Sequence, residues 1–364
     1  MKILNFFLLC FTILAFTSCN KDSKKKESSG LFPVVQNDKW GYIDKTGKLV
    51  INPQFDAAGF FSENLAVVEI SRKFGYIDKK GKIVINPQFD YPGGLYEEYF
   101  LPPSLFHDYG FNEGLAVIKI FNRYGYINKA GKYAVNPQFD AAKDFSEGQA
   151  QVKIGEKWGY IDNAGKYTVN PQFVDAGIFS EGLACVKIGD KYGYIDKLGK
   201  IVINPQFMDA GIFSEGLACV KIGDKYGYID KLGKILINPQ FDEVLPFSEG
   251  QASVKIDGKY GYIDKVGKYI VSPQFDWAGG FSEGLARVEI DRKWGYIGKA
   301  GEYIVDPQFD WAGDFFDGLA WVMIKIGGQK DKYGFVDIAP LVIFEVTNWG
   351  YIDKTGKYVW TPTR

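Results

Sequence analysis

The sequence predicts an all-β protein: a tandem array of about ten units of 34 residues, three strands each, stacked into an open, twisted, solenoid-like body. Three observations predict it. An aromatic-Gly-aromatic core recurs from Trp40-Gly41-Tyr42 to Trp349-Gly350-Tyr351, at a constant step of 34 residues between Gly125 and Gly295. Such a period marks a repeat architecture. Aromatic residues make up 16% of the chain, and Tyr and Phe at this density favour strands. The stretches beside each core alternate apolar and polar with period two, the signal of a half-buried strand.

The chain opens with an address. Met1-Lys2 precedes an apolar run from Ile3 to Thr17, too short for a membrane span and suited to a signal peptide over residues 1–18. The ending "LAFTSC" resembles a bacterial lipobox, with Phe16 where Leu is common. That resemblance implies lipidation at Cys19, with secretion or an uncleaved anchor as the alternatives. Residues 19–29 are polar and of low complexity, and read as a flexible tether.

From residue 30 onward the array begins. In "GLACVKI", Ala184, Val186 and Ile188 share one face. Their neighbours vary through Val67, Gln151, Cys185, Ser253, Arg287 and Trp321, which reads as a solvent-facing position. A second strand carries Tyr192 and Tyr194 on one face of "KYGYID". "DKLGK" closes a hairpin, with Asp196 opening the turn and Gly199 supplying its left-handed residue. The third strand, "KIVINPQF", is expected to stop at Pro205, which cannot donate to a ladder. "NPQFDxAGxFSEG" reads as a loop to the next unit. The recurring glycine is expected to let a neighbouring strand or ring lie against the backbone.

The full pattern, "FSEGLAxVKIGDKWGYIDKxGKxVINPQFD", resembles the WG (KWG) repeat family over nearly everything from Gly30 to Pro362. The resemblance implies a β-rich array, often on exported proteins, and no established catalytic residues. The units from Ala176 and Ala210 differ at one position in 32, the mark of recent duplication. Cys185 and Cys219 occupy equivalent places in these two and are read as free thiols copied with the unit. An insertion at about 91–107 interrupts the array, and a truncated unit falls near 333–348. Both chain ends stop at unit boundaries, which argues for the open array. A closed β-propeller-like ring is the alternative.

Composition narrows the chemistry. A net charge of -1 argues against nucleic acid as a partner, and a single histidine, His107, disfavours His-based metal sites and nucleophilic dyads. The recurring carboxylates, Asp44, Asp196, Glu63 and Glu181 among them, sit in turns of almost every copy. That placement fits turn chemistry better than a single active centre, and no calcium-loop spacing occurs. No enzymatic activity, cofactor or metal is expected. The expected role is a cell-envelope scaffold for a protein partner, anchored to the outer membrane or cell surface by lipid alone. The alternatives are a glycan-binding or peptidoglycan-binding protein, in a secreted or periplasmic location. Candidate binding residues are Tyr96, Tyr99, Phe100 and Phe106 of the insertion, with Trp277, Trp311 and Trp321 on the array.

Overall fold

Among the described residues, seven of the nine units fold as a four-stranded antiparallel sheet instead of the three strands expected. The computed structural model describes residues 30–90, 110–325 and 347–361. The signal peptide, Cys19, the tether and the whole 91–107 insertion lie outside the described residues, as do positions 333–346 of the truncated unit. In one unit the strands run, from inner to outer, Asp175–Ala176, Ala184–Ile188, Lys191–Ile195 and Ile201–Phe207. The inner strand hides in the stretch read as a loop. Only Asp175 and Ala176 pair regularly, with Lys187 and Val186, so no period-two signal can form over so short a run. Glu181 and Gly182 then take φ of 54° and 87°, the left-handed pair that turns a tight hairpin.

The outer strand does not end at its proline. Tyr194 pairs with Ile203 and Tyr192 with Phe207, so Asn204-Pro205-Gln206 bulges out of the ladder and pairing resumes beyond it. Proline is tolerated because this is the sheet's edge. The bulge also explains the central glycine. A Cβ on Gly193 would lie 2.5 Å from the Ile203 carbonyl oxygen and 2.7 Å from the Pro205 nitrogen. The close neighbour is therefore the outer strand of the same unit.

Nine such sheets, seven four-stranded and two three-stranded among the described residues, form a closed nine-bladed β-propeller. The open solenoid-like array expected from the sequence is thereby corrected. The blades span 31–55, 57–89, 115–139, 141–173, 175–207, 209–241, 243–275, 277–309 and 311–360. The count is nine because Trp349-Gly350-Tyr351 completes the ninth blade instead of starting a tenth. Its strand Thr347–Asp353 pairs directly with Leu319–Lys325.

Neighbouring blades meet through one recurring set of contacts. Between blades 5 and 6 the Tyr194 ring packs against Phe213 at 4.9 Å, and its hydroxyl donates to the Gly211 carbonyl at 2.8 Å. Ser180 Oγ donates to the Phe213 carbonyl at 2.7 Å. The Glu181 carboxylate accepts from Gly216 N at 3.0 Å and pairs with Lys231 at 3.1 Å. Between blades 9 and 1 the tyrosine and carboxylate contacts of this set reappear. The Tyr351 hydroxyl donates to the Pro33 carbonyl at 3.0 Å, Gly30 N donates to Asp317 Oδ2 at 3.0 Å, and Lys45 pairs with Asp317. Among the described residues, closure uses polar contacts like those between other blades, and no strand is exchanged. Unit-complete chain ends are thus compatible with a ring.

The space between blades also overturns the solvent-facing reading of the second strand. Val67, Gln151, Cys185, Ser253 and Arg287 are all buried. Ser253 Oγ and Arg287 Nη1 each donate, at 2.8 Å, to an inner-strand carbonyl of the next blade, that of Ala278 and Ala312 respectively. The position varies because each junction fills it differently. Cys185 and Cys219 are buried and free.

Candidate functional site

The ring has two faces, set by which turns lie together. One carries the "SEG" turns and the "DKxGK" hairpins, joined by ion pairs such as Lys231–Glu181. The other carries the corners between blades and the hairpins joining second and third strands, joined by pairs such as Lys39–Asp56. Most repeated polar residues are consumed by these joints. Asp196 Oδ1, for example, accepts from Leu198 N at 3.0 Å and Lys200 N at 2.9 Å. The carboxylate of Asp56 accepts from Lys39 and Ser71 N, and its pKa is lowered chiefly by the Lys39 bond.

One position on this second face escapes the pattern: the first residue of the inner strand, where a propeller's strands border the central channel. It reads Ala57, Ala141, Asp175, Asp209, Glu243, Trp277 and Trp311 in the blades whose inner strand is described. Three carboxylates therefore stand on consecutive blades, followed by two indoles. Each carboxylate accepts a tyrosine hydroxyl of its own blade: Tyr192 to Asp175 at 3.0 Å, Tyr226 to Asp209 at 2.7 Å and Tyr260 to Glu243 at 2.5 Å. Burial, with the adjacent carboxylates, raises the pKa of these phenols, so they stay neutral donors. Lys187, Lys221 and Lys255 hold their ammonium groups 5.2–5.3 Å from the same three rings.

In blades 5 and 6 the acid has moved by one residue. Elsewhere an aspartate such as Asp56 or Asp276 occupies the corner and pairs with Lys39 or Lys259. Here Val174 and Met208 take the corner, exposed, and Asp175 and Asp209 stand one place further on. Aromatic packing continues the arc. Tyr260 lies 6.2 Å from Trp277, Trp277 lies 5.1 Å from Trp294, and Trp294 lies 5.0 Å from Trp311. Arg287 sits over Trp277 at 4.9 Å and pairs with Asp314 at 3.0 Å.

Of the residues singled out from the sequence, Trp277 and Trp311 are half-buried members of this arc. Trp321 is also half-buried, its ring tilted against Trp349 with centroids 5.3 Å apart. It is accommodated by Gly313, where a Cβ would lie 2.2 Å from the indole nitrogen. Tyr96, Tyr99, Phe100 and Phe106 lie outside the described residues. Sequence reading missed Asp175, Asp209 and Glu243. The one available signal was that the acid departs from the repeat by one register step.

Chemically the arc offers carboxylates and aromatic faces and no activated nucleophile. Burial pushes the Cys185 and Cys219 thiols up to about 12. The described residues hold no group of three or more His, Cys, Asp or Glu placed to bind a metal.

The WG containing repeat matches residues 40–73, 74–101, 124–158, 158–192, 192–226, 226–260, 260–294 and 294–325. No curated protein matches the chain. Among solved structures, a crystal structure of the eukaryotic initiation factor is 10% identical with a TM-score of 0.61, covering 92% of this chain and 96% of its own. That likeness shows the fold alone. PorZ of Porphyromonas gingivalis, described as a surface component of the type-IX secretion system, is 11% identical over 89% of this chain and 46% of its own. The dihydro-heme d1 dehydrogenase NirN is 12% identical over 75% of this chain and 72% of its own. Their TM-scores, 0.36 and 0.42, carry no argument.

Proposed function

From a chain that belongs to the family of WG-containing repeats, we infer a non-enzymatic scaffold of the cell envelope that holds a protein partner at the mouth of its ring. The observation carrying this reading is the contrast between a unit repeated almost without change and the one inner-strand position that changes blade by blade. Residues needed by the ring recur in every blade. Asp175, Asp209 and Glu243 do not; they stand at the start of the inner strand, where the next two blades have Trp277 and Trp311, and Glu243 is already paired with Lys255 at 2.8 Å. Three carboxylates beside aromatic faces suit a segment bearing Lys or Arg, which gains ion pairs and cation–π contact together. The rigid ring loses little conformational freedom on binding, which favours affinity.

The test is capture of envelope proteins through a photo-crosslinker placed at Met208, with the Asp175→Asn, Asp209→Asn, Glu243→Gln triple variant in parallel. The triple variant should lose most cross-linked product while keeping its denaturation midpoint. Unchanged cross-linking would end the proposal. Glycan binding is the second reading, supported by the half-exposed indoles of Trp277 and Trp311. Both pack at a tilt against Trp294, and Trp277 also carries Arg287, so less indole surface is open to a sugar. A glycan array in which Trp311→Ala abolishes a signal would favour it. Export and lipidation at Cys19 belong to the same proposal and are read from the mass of the mature N-terminus.

A further inference from the structure

The opposite face carries a feature confined to three consecutive blades. At the tip of the "DKxGK" hairpin, blades 5, 6 and 7 place Leu198, Leu232 and Val266, which are 87%, 87% and 81% exposed. The same tip holds Thr46, Lys80, Ala130, Ala164, Ala300 and Thr355 in the other blades. Duplication accounts for Leu232 repeating Leu198, but Val266 stands in a unit that has diverged. These are among the most exposed large apolar side chains of the described residues, and aliphatic pairs such as Ile235 and Leu236 continue them onto the outer strand. Each turn's aspartate spends its carboxylate on the turn's own amides, as Asp230 does with Leu232 N and Lys234 N at 2.9 Å. Lys200, Lys234 and Lys268 flank the tips and are exposed. Large apolar side chains exposed at the same tip of three neighbouring blades mark an interaction site, and apolar tips flanked by lysine suit an anionic lipid interface.

Where the chain enters the ring supplies the occupant. Gly30 donates to Asp317, in the turn before a second strand, and Lys45 of the first hairpin pairs with the same Asp317. The chain therefore enters on the face that carries the three tips, with the first blade and the tips on opposite sides of the ring. Ten residues, and so eleven Cα steps, separate Cys19 from Gly30, and a lipid on Cys19 would keep the point of entry within about 38 Å of the bilayer.

We propose that Leu198, Leu232 and Val266 insert into the interface of an anionic bilayer. The ring then tilts onto the membrane by the sector of its hairpin face formed by blades 5 to 7, which keeps the tips of the other blades clear of the lipid and turns the arc of Asp175, Asp209 and Glu243 outward. The proximity argument rests on the lipid-anchor reading above; the chemistry of the tips does not.

The test uses the full mature protein with an environment-sensitive fluorophore on Leu198→Cys, or on Ala130→Cys as the control tip, the labelled site being verified by peptide mapping. Vesicles of phosphatidylethanolamine and phosphatidylglycerol should shift the emission at 198 to the blue, and brominated lipid should quench it. The signal at 130 should stay as in buffer. Leu232→Ser with Val266→Ser should reduce the quenching at 198 severalfold. Equal signals at 198 and 130, or a shift at 198 that needs only higher protein concentration and no vesicles, would overturn the proposal; the second outcome would make the tips a contact between copies. The N-terminal mass is read separately. Quenching at 198 with a lipid-free Cys19 would sink the anchor and keep the membrane contact, whereas a lipidated Cys19 without quenching would do the reverse.

Discussion

The junction between blades 5 and 6 and the seam between blades 9 and 1 do the same work with different parts. The polar contacts coincide: Glu181 to Gly216 in one and Asp317 to Gly30 in the other, Tyr194 to Gly211 against Tyr351 to Pro33. The apolar filling differs, because blade 1 has no inner strand among the described residues. At the inner junction Phe213 of the inner strand packs on Tyr194. At the seam Phe32 takes that part, with its ring 5.4 Å from Tyr351, at a place where every other blade has alanine, such as Ala218. The serine that donates to the next inner strand at most junctions has no such strand to reach at the seam among the described residues, and Phe316 stands in its place. Phe316 meets Phe60 of blade 2 at 6.0 Å across the gap. Pro33 sits on the resulting strand edge, where it has no N–H to leave unpaired. The comparison teaches that aromatic side chains can fill a seam at which the described residues supply no inner strand.

The sharpest way to break this account is Phe32→Ala. It restores the residue the repeat prefers, yet it should cost about 3–5 kcal/mol, because a fully buried ring is lost where no inner strand can fill the cavity. A denaturation midpoint unchanged or raised would show that the seam does not depend on this ring. Gly227→Val tests an interior blade. Its Cβ would lie 2.4 Å from the Ile237 carbonyl oxygen and 2.8 Å from Pro239 N, backbone atoms that cannot swing away. The expected cost is about 3 kcal/mol, read from the same midpoint. If the midpoint holds, the bulged outer strand is more yielding than its geometry implies.

Tyr194→Phe and Tyr351→Phe compare the two junctions directly. Each removes one hydroxyl-to-carbonyl bond and should lower stability by about 1 kcal/mol, equally in both. A clear inequality would mean that seam and inner junction are not equivalent in their polar contacts. The smallest effect concerns thiols. Burial raises the Cys185 pKa to about 12, so its stabilising contribution is complete below the ordinary thiol value and is lost only as pH rises through about 12. At pH 8 native Cys185 should react with iodoacetamide only as the junction opens. Labelling of the native ring at the rate of the unfolded chain would show that this junction does not bury its thiol.

Much of the blade was legible in advance. Tyr192 and Tyr194 on one face, the Asp196 and Gly199 turn, and the glycine pressed by a neighbouring strand all follow from local sequence. The inner strand was not, because two paired residues at Asp175–Ala176 carry no period. Cys185 and Arg287 were misread as solvent-facing because alternation reports which face a residue takes, and here both faces are covered by neighbouring blades. The site was half legible. Trp277 and Trp311 stood out as rare residues, whereas Asp175 and Asp209 looked like ordinary loop acids until the fold placed them at the channel mouth.

The sequence by itself determined the repeat, its turns and its strand chemistry, because these depend on interactions within a few residues of one another. Closure into nine blades, and the distinct characters of the two faces, were decided only by tertiary structure. Whether Gly30 reaches Asp317 depends on the small angle each blade adds to the last, a sum over 287 residues that no local pattern records.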